Sequence, residues 1–203
     1  MLITNALVYF HLLAMAVAVG KMLEYDFRFL RSVSRRPTPE SLAELLRTKT
    51  SMTFALYFLW LSGFALVYLG YIHTPQYLEN EKLWMKGVTV AVLTVNGMLM
   101  HRFAFPHMQQ ETAFLALPLR KVLALSLFAT VSSASWLFAS FLGVARWWNN
   151  TVSFEFLLSI YLALIVVAGM VAMTVMSALR QQYFKTSPPA AFSEMEFNSG
   201  HPH

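Results

Sequence analysis

His11 stands within an uninterrupted apolar stretch, residues 2–20, that contains no charged side chain. Imidazole is the side chain whose ordinary titration lies nearest neutrality and is the commonest metal ligand. Inside a membrane span, an ionisable group is costly unless it faces the bundle interior and finds a partner. A second set of candidates lies on the apolar segment 87–105 and its approach, where Lys86, Asn96 and His101 share one helical stretch. At about 1.5 Å of rise per residue, Lys86 and His101 are about 22 Å apart along a helix, too far to serve one small ion but suited to bracket a large ligand. Two imidazoles projecting into an apolar bundle from neighbouring helices are what a membrane b-type haem asks of a protein. His11 and His101 are therefore the candidate axial ligands. Asn96 is either a contact to the same cofactor or a hydrogen bond between helices. Lys86 is a further candidate, an amine that when neutral can act as a base near a ring. His11 with Lys86 is the alternative pairing, since both are displaced toward one side of the membrane relative to His101.

The other chemistry-bearing residues carry less. Twelve methionines and six histidines suit copper(I), and Met170, Met173 and Met176 repeat at three-residue spacing. Thioethers are also the usual filler of irregular apolar space. His73 and His107 fall at the ends of spans, where water reaches them, and His201 and His203 belong to a short polar tail. The absence of cysteine excludes disulfides, thiolate metal sites, iron–sulfur clusters and a cysteine nucleophile. No hydrolase constellation is visible.

The elements that position these residues follow from composition. Of the 203 residues, 57% are apolar and 12% charged, against about 25% charged in soluble domains. Apolar stretches at residues 2–20, 53–72, 87–105, 122–145 and 156–179 are each long enough to cross a bilayer core. The reading is an all-α integral membrane bundle of five transmembrane helices over residues 1–185, followed by a loosely ordered tail, 186–203. The first stretch lacks the basic flank and small-residue cleavage site of a signal peptide, so it is expected to persist as a span. Twelve of the fifteen basic residues fall on one side of the alternation, including seven between Lys21 and Lys49. Positive charge marks the cytoplasmic side, which puts the N-terminus out and the C-terminus in. The net charge of +5 is thereby a topology signal and gives no reason to expect nucleic acid. Thr38-Pro39-Glu40 reads as a helix start, with Leu42, Leu45 and Leu46 on one face of a short interfacial helix. Ser135, Ala139 and Gly143 form a small-residue stripe that predicts a close helix contact. Trp84, Trp147 and Trp148 sit where indoles anchor spans at the headgroups.

A histidine in the first span, with Trp84-Met85-Lys86 opening the third and His101 later in it, resembles the HemJ-type protoporphyrinogen IX oxidases and, more loosely, CopD-like copper membrane proteins, over roughly the first 105 residues. The resemblance implies that His11 binds haem, that Lys86 serves activity, that the ring lies between the first three spans, and that electrons leave toward quinone. The expectation is an inner-membrane protein holding haem b or a related tetrapyrrole, active in electron transfer or porphyrin oxidation, with a quinone or porphyrin as partner. Copper binding or import, or a non-catalytic subunit of a larger membrane complex or homo-oligomer, are the alternatives. The orientation has a direct check. Reporter fusions within residues 30–45 should report the cytoplasm and those within 76–82 the opposite side. The reverse pattern would invert every assignment of side.

Overall fold

The computed structural model describes residues 2–108 and 112–186. The expected loose tail therefore lies outside the described residues. Five helices are long and apolar enough to span a membrane, and no strand occurs among the described residues. They are α1 (Leu2–Ser32), α2 (Pro39–His73), α3 (Glu81–Leu99), α5 (Leu119–Val144) and α6 (Phe154–Thr186), with a four-residue helix α4 (Phe105–Met108) after α3.

The basic segment after the first span is not a loop. α1 runs on to Ser32, and α2 runs unbroken from Pro39 to His73, so the anticipated interfacial helix forms the first turns of the second span. The start is as the sequence indicates: Thr38 Oγ1 accepts from the Ser41 N–H at 3.2 Å and Ser41 Oγ accepts from the Thr38 N–H at 2.9 Å, a reciprocal cap. What the sequence reading missed is propagation. Leu, Ala, Glu, Arg, Lys and Met between Glu40 and Met52 are good helix formers, and adding a residue to an existing helix is far easier than starting a new one. At 31 and 35 residues, α1 and α2 are about 46 and 52 Å long, well beyond a hydrocarbon core of about 30 Å. Their turn, together with Arg120, Lys121 and Lys185, marks the basic end of the bundle. Arg28 ties it by bonding Glu24 at 2.7 Å and Glu44 at 2.6 Å.

α3 changes character at its basic end. Residues Met100–Ala104 form a π-helical turn, in which the Phe105 N–H donates to the Met100 carbonyl five residues back. Pro106 supplies the reason: it has no N–H to donate and its ring would collide with the carbonyl four residues earlier, so the helix widens by one residue before turning away.

α5 is the central helix, touching α1, α3 and α6 and carrying more of the buried residues than any other. Its small side chains permit this. Of the predicted stripe, Ser135 and Ala139 are buried, and Ser135 Oγ lies 2.6 Å from the Tyr161 hydroxyl of α6, whereas Gly143 is half-buried with no neighbour close to where a Cβ would stand, so the contact does not extend to it. At the basic end, Phe114, Leu115 and Leu117 tuck between Val33, just past the end of α1, Val122 of α5 and Met176 of α6. Arg180 holds that segment by donating to the Leu117 carbonyl at 3.2 Å.

At the opposite end the first turn of α3 staples the α5–α6 connection. Lys82, which by sequence reads as a solvated loop charge, is only 2% exposed. Its Nζ donates to the Ala145 carbonyl at 2.5 Å and to Asn149 Oδ1 at 2.9 Å, placing a cation on the negative end of the α5 dipole. Glu81 accepts from the Phe154 N–H at the start of α6. Asn150 makes the intervening turn in a left-handed conformation, φ 56°, which asparagine tolerates. Lys82→Met should therefore lower unfolding stability in mixed micelles by about 1.5–3 kcal/mol, the usual cost of losing charge-assisted bonds. Lys86→Met, which breaks no hydrogen bond among the described residues, should change it little. Equal losses for the two variants would remove the capping role.

Candidate functional site

His11 of α1 is half-buried and its Nδ1 lies 2.7 Å from Ser62 Oγ of α2. Ser62 is itself buried, and its hydroxyl lies 2.6 Å from the Phe58 carbonyl. A carbonyl cannot donate and serine has one proton. The Ser62 O–H therefore donates to Phe58, and the Ser62 oxygen accepts the Nδ1–H of His11. In the tautomer protonated on Nδ1, which suits this pattern, a neutral His11 keeps Nε2 as its lone pair, the arrangement by which an outer partner orients a metal-binding imidazole. The ring rests over α2 at Gly63, where a Cβ would come within 3.8 Å of His11 Cε1.

Lys86, on α3, is half-buried and within electrostatic range of both His11 and Lys82. Among the described residues it makes no hydrogen bond and no ion pair. His11 and Lys86 therefore share the end of the bundle away from the basic turn. Asn96 is buried and its Nδ2 donates to the Phe128 carbonyl of α5 at 3.0 Å, a bond between helices.

His101 occupies a different place. It lies in the π-helical turn, edge-on to the Phe105 ring with centroids 5.2 Å apart, and within electrostatic range of Lys49. It lines a predominantly apolar, partly open cavity of about 410 Å³ to which all five long helices contribute residues, toward the basic end. His11 does not line this cavity. Met22, the α1 lining residue nearest to it, is eleven residues further along, about 16 Å of helix. Lys86 is likewise absent from the lining. The structure brings His11 and Lys86 to one end and sets His101 apart, so the two imidazoles do not meet on one ring.

Other sequence candidates resolve simply. Met170 and Met173 are 56% and 36% exposed on the outer face of α6, whereas Met176 is buried and lines the cavity. His73 is exposed at the end of α2, and His107 lies on α4. His201 and His203 fall outside the described residues. Among the described residues no three His, Asp or Glu side chains converge on a common metal position.

Two polar groups escaped the sequence reading because they lie in the segment taken as a loop. Asp26 of α1 accepts from Ser133 Oγ of α5 at 2.5 Å, and both line the cavity. Lys49 of α2 also lines it, with Nζ 4.8 Å from the Phe105 ring centroid. The signal that could have found Asp26 is the stripe Ala18, Met22, Tyr25, Phe29 and Val33, whose helical spacing carries the first span's inward face past Lys21. Compared with family models, curated proteins and solved structures, the chain gives no significant match, so the chemistry of these sites rests on its own residues.

Proposed function

We propose that this chain is a multi-pass protein of the inner membrane, basic end in the cytoplasm, that holds a b-type haem or a related tetrapyrrole and serves electron transfer or porphyrin oxidation. The supporting observation is the hydrogen bond from His11 Nδ1 to Ser62, which leaves Nε2 as a free ligand atom in an apolar span. A single imidazole with an available Nε2 is a donor that haem iron would accept. His11 would hold the metal, with Ser62 preventing the imidazole from rotating or switching tautomer. Lys86, a cation without a partner among the described residues, would meet a carboxylate of the same ligand, which accounts for a positive charge retained so near an apolar span. When bound, the cofactor supplies the redox chemistry, and the protein supplies orientation and local charge. Asn96 and His101 stand apart from this ligand set.

The test is an absorbance spectrum of the detergent-purified protein after growth with haem supply. A Soret band and a reducible α band are expected in the wild type. His11→Ala should abolish or shift them while membrane insertion is retained. Ser62→Ala should weaken haem retention by roughly tenfold, the low end of the range for losing an outer partner of a metal ligand. Lys86→Arg should preserve occupancy better than Lys86→Met if the contact is one of charge. His101→Ala should leave the bands intact. An unchanged spectrum in His11→Ala, or its loss only in His101→Ala, would sink the assignment.

A further inference from the structure

The cavity beside His101 has no role in the haem reading, and its walls carry a chemistry of their own. Asp26 is the one carboxylate among its lining residues. Among the described residues that carboxylate receives a hydrogen bond from Ser133 and makes no ion pair. Its basic neighbour on α1, Arg28, is committed to Glu24 and Glu44. Beside Asp26, Tyr25 stacks on Phe29 with centroids 6.2 Å apart, and Phe29 meets Phe114 edge-on at 5.0 Å. Phe105 and buried Trp136 bring the Phe, Tyr and Trp side chains of the lining to five. A volume of about 410 Å³ lies in the range of small-molecule pockets, roughly 300–1,000 Å³.

An unneutralised carboxylate next to several aromatic rings in an apolar cavity is complementary to positive charge carried on apolar groups. The carboxylate supplies the counter-charge, and the ring faces attract a cation through their quadrupoles. Lys49, the one basic chain among the lining residues besides His101, already illustrates the second effect, with its ammonium 4.8 Å from the Phe105 centroid.

We propose that the cavity binds a lipophilic organic cation, an amine or quaternary centre bearing aromatic or alkyl groups, with its charge at Asp26 and its body against Tyr25, Phe29, Phe114 and Trp136. This site is separate from His11 and stands whether or not the chain holds haem.

Equilibrium dialysis of the full-length protein in detergent tests it with tetraphenylphosphonium, with tetraphenylborate as a partner of the same shape and opposite sign, and with benzyltrimethylammonium as a smaller cation. Saturable binding of at least one cation and none of the borate is expected. Asp26→Asn keeps an oxygen to accept from Ser133 but removes the charge, and should weaken cation binding by roughly tenfold or more. Phe29→Leu, which preserves apolar bulk and leaves Asp26 untouched, should weaken it less. Lys49→Met should leave binding unchanged or tighten it. Saturable binding of the borate, cation binding indifferent to both Asp26→Asn and Phe29→Leu, or failure of both cations to bind would overturn the proposal. Loss of the haem spectrum in His11→Ala would not bear on it.

Discussion

Helices dissolved in lipid gain nothing by hiding apolar surface from one another, so close packing and polar contacts must select one arrangement. In this protein those contacts converge on α5. Lys82 of α3 caps its end at Ala145, Asn96 of α3 bonds its backbone at Phe128, Asp26 of α1 takes the hydroxyl of Ser133, and Tyr161 of α6 meets Ser135. The small residues of α5 let three neighbours approach, and the polar bonds choose their rotation and depth. Elements tied to α5 by one such bond inherit their register from it.

α2 is the helix outside this set. It joins the bundle through α1, by way of His11–Ser62 at one level and Arg28–Glu44 at the basic turn, and through a hydrogen bond from Trp60 to Thr94 of α3 at 2.9 Å. Two environments result. Toward the basic end, the long extensions of α1 and α2, the π-helical turn of α3 and the 113–117 segment surround an aromatic cavity with a carboxylate and an ammonium on its walls. Toward the other end, a single imidazole bonded to Ser62 lies within the field of Lys86, which has no partner among the described residues. The same physical rule, that a polar group in lipid needs a partner, separates Lys82 from Lys86: four residues apart on one helix, Lys82 is consumed by capping, whereas Lys86 makes no hydrogen bond or ion pair among the described residues.

Much of this was legible in the residues. The cost of moving a side chain into hydrocarbon is local and roughly additive, so composition and run length sufficed for an all-α membrane bundle of five spans, and the choice of His11, Lys86, Asn96 and His101 as expensive residues followed from the same sum. Thr38 announced the start of α2, and the Ser135–Ala139 stripe announced a buried helix face. The extent of α1 and α2 was less legible because charge density was taken to end the helices, whereas helix propagation continues through charged residues of good propensity. Asp26 was hidden by that one error.

Which expensive residues meet was decided by the tertiary structure alone. Sequence locates a residue relative to the ends of its own span, but the depth, tilt and rotation of one helix against another are set by contacts between them. Hence His11 and His101, each plausible as a haem ligand on its own helix, sit in different parts of the bundle. Lys82 and Lys86, one turn apart on the same face of α3, differ because only Lys82 lies level with the open carbonyl at the end of α5. The partner of His11 is Ser62, fifty-one residues away in the chain, and no local pattern could have specified it. The amino-acid sequence determined the solvent, the class of fold and the short list of chemically costly groups, because those depend on each residue's own transfer energy; pairing among them depends on three-dimensional distance, which only the packed helices define.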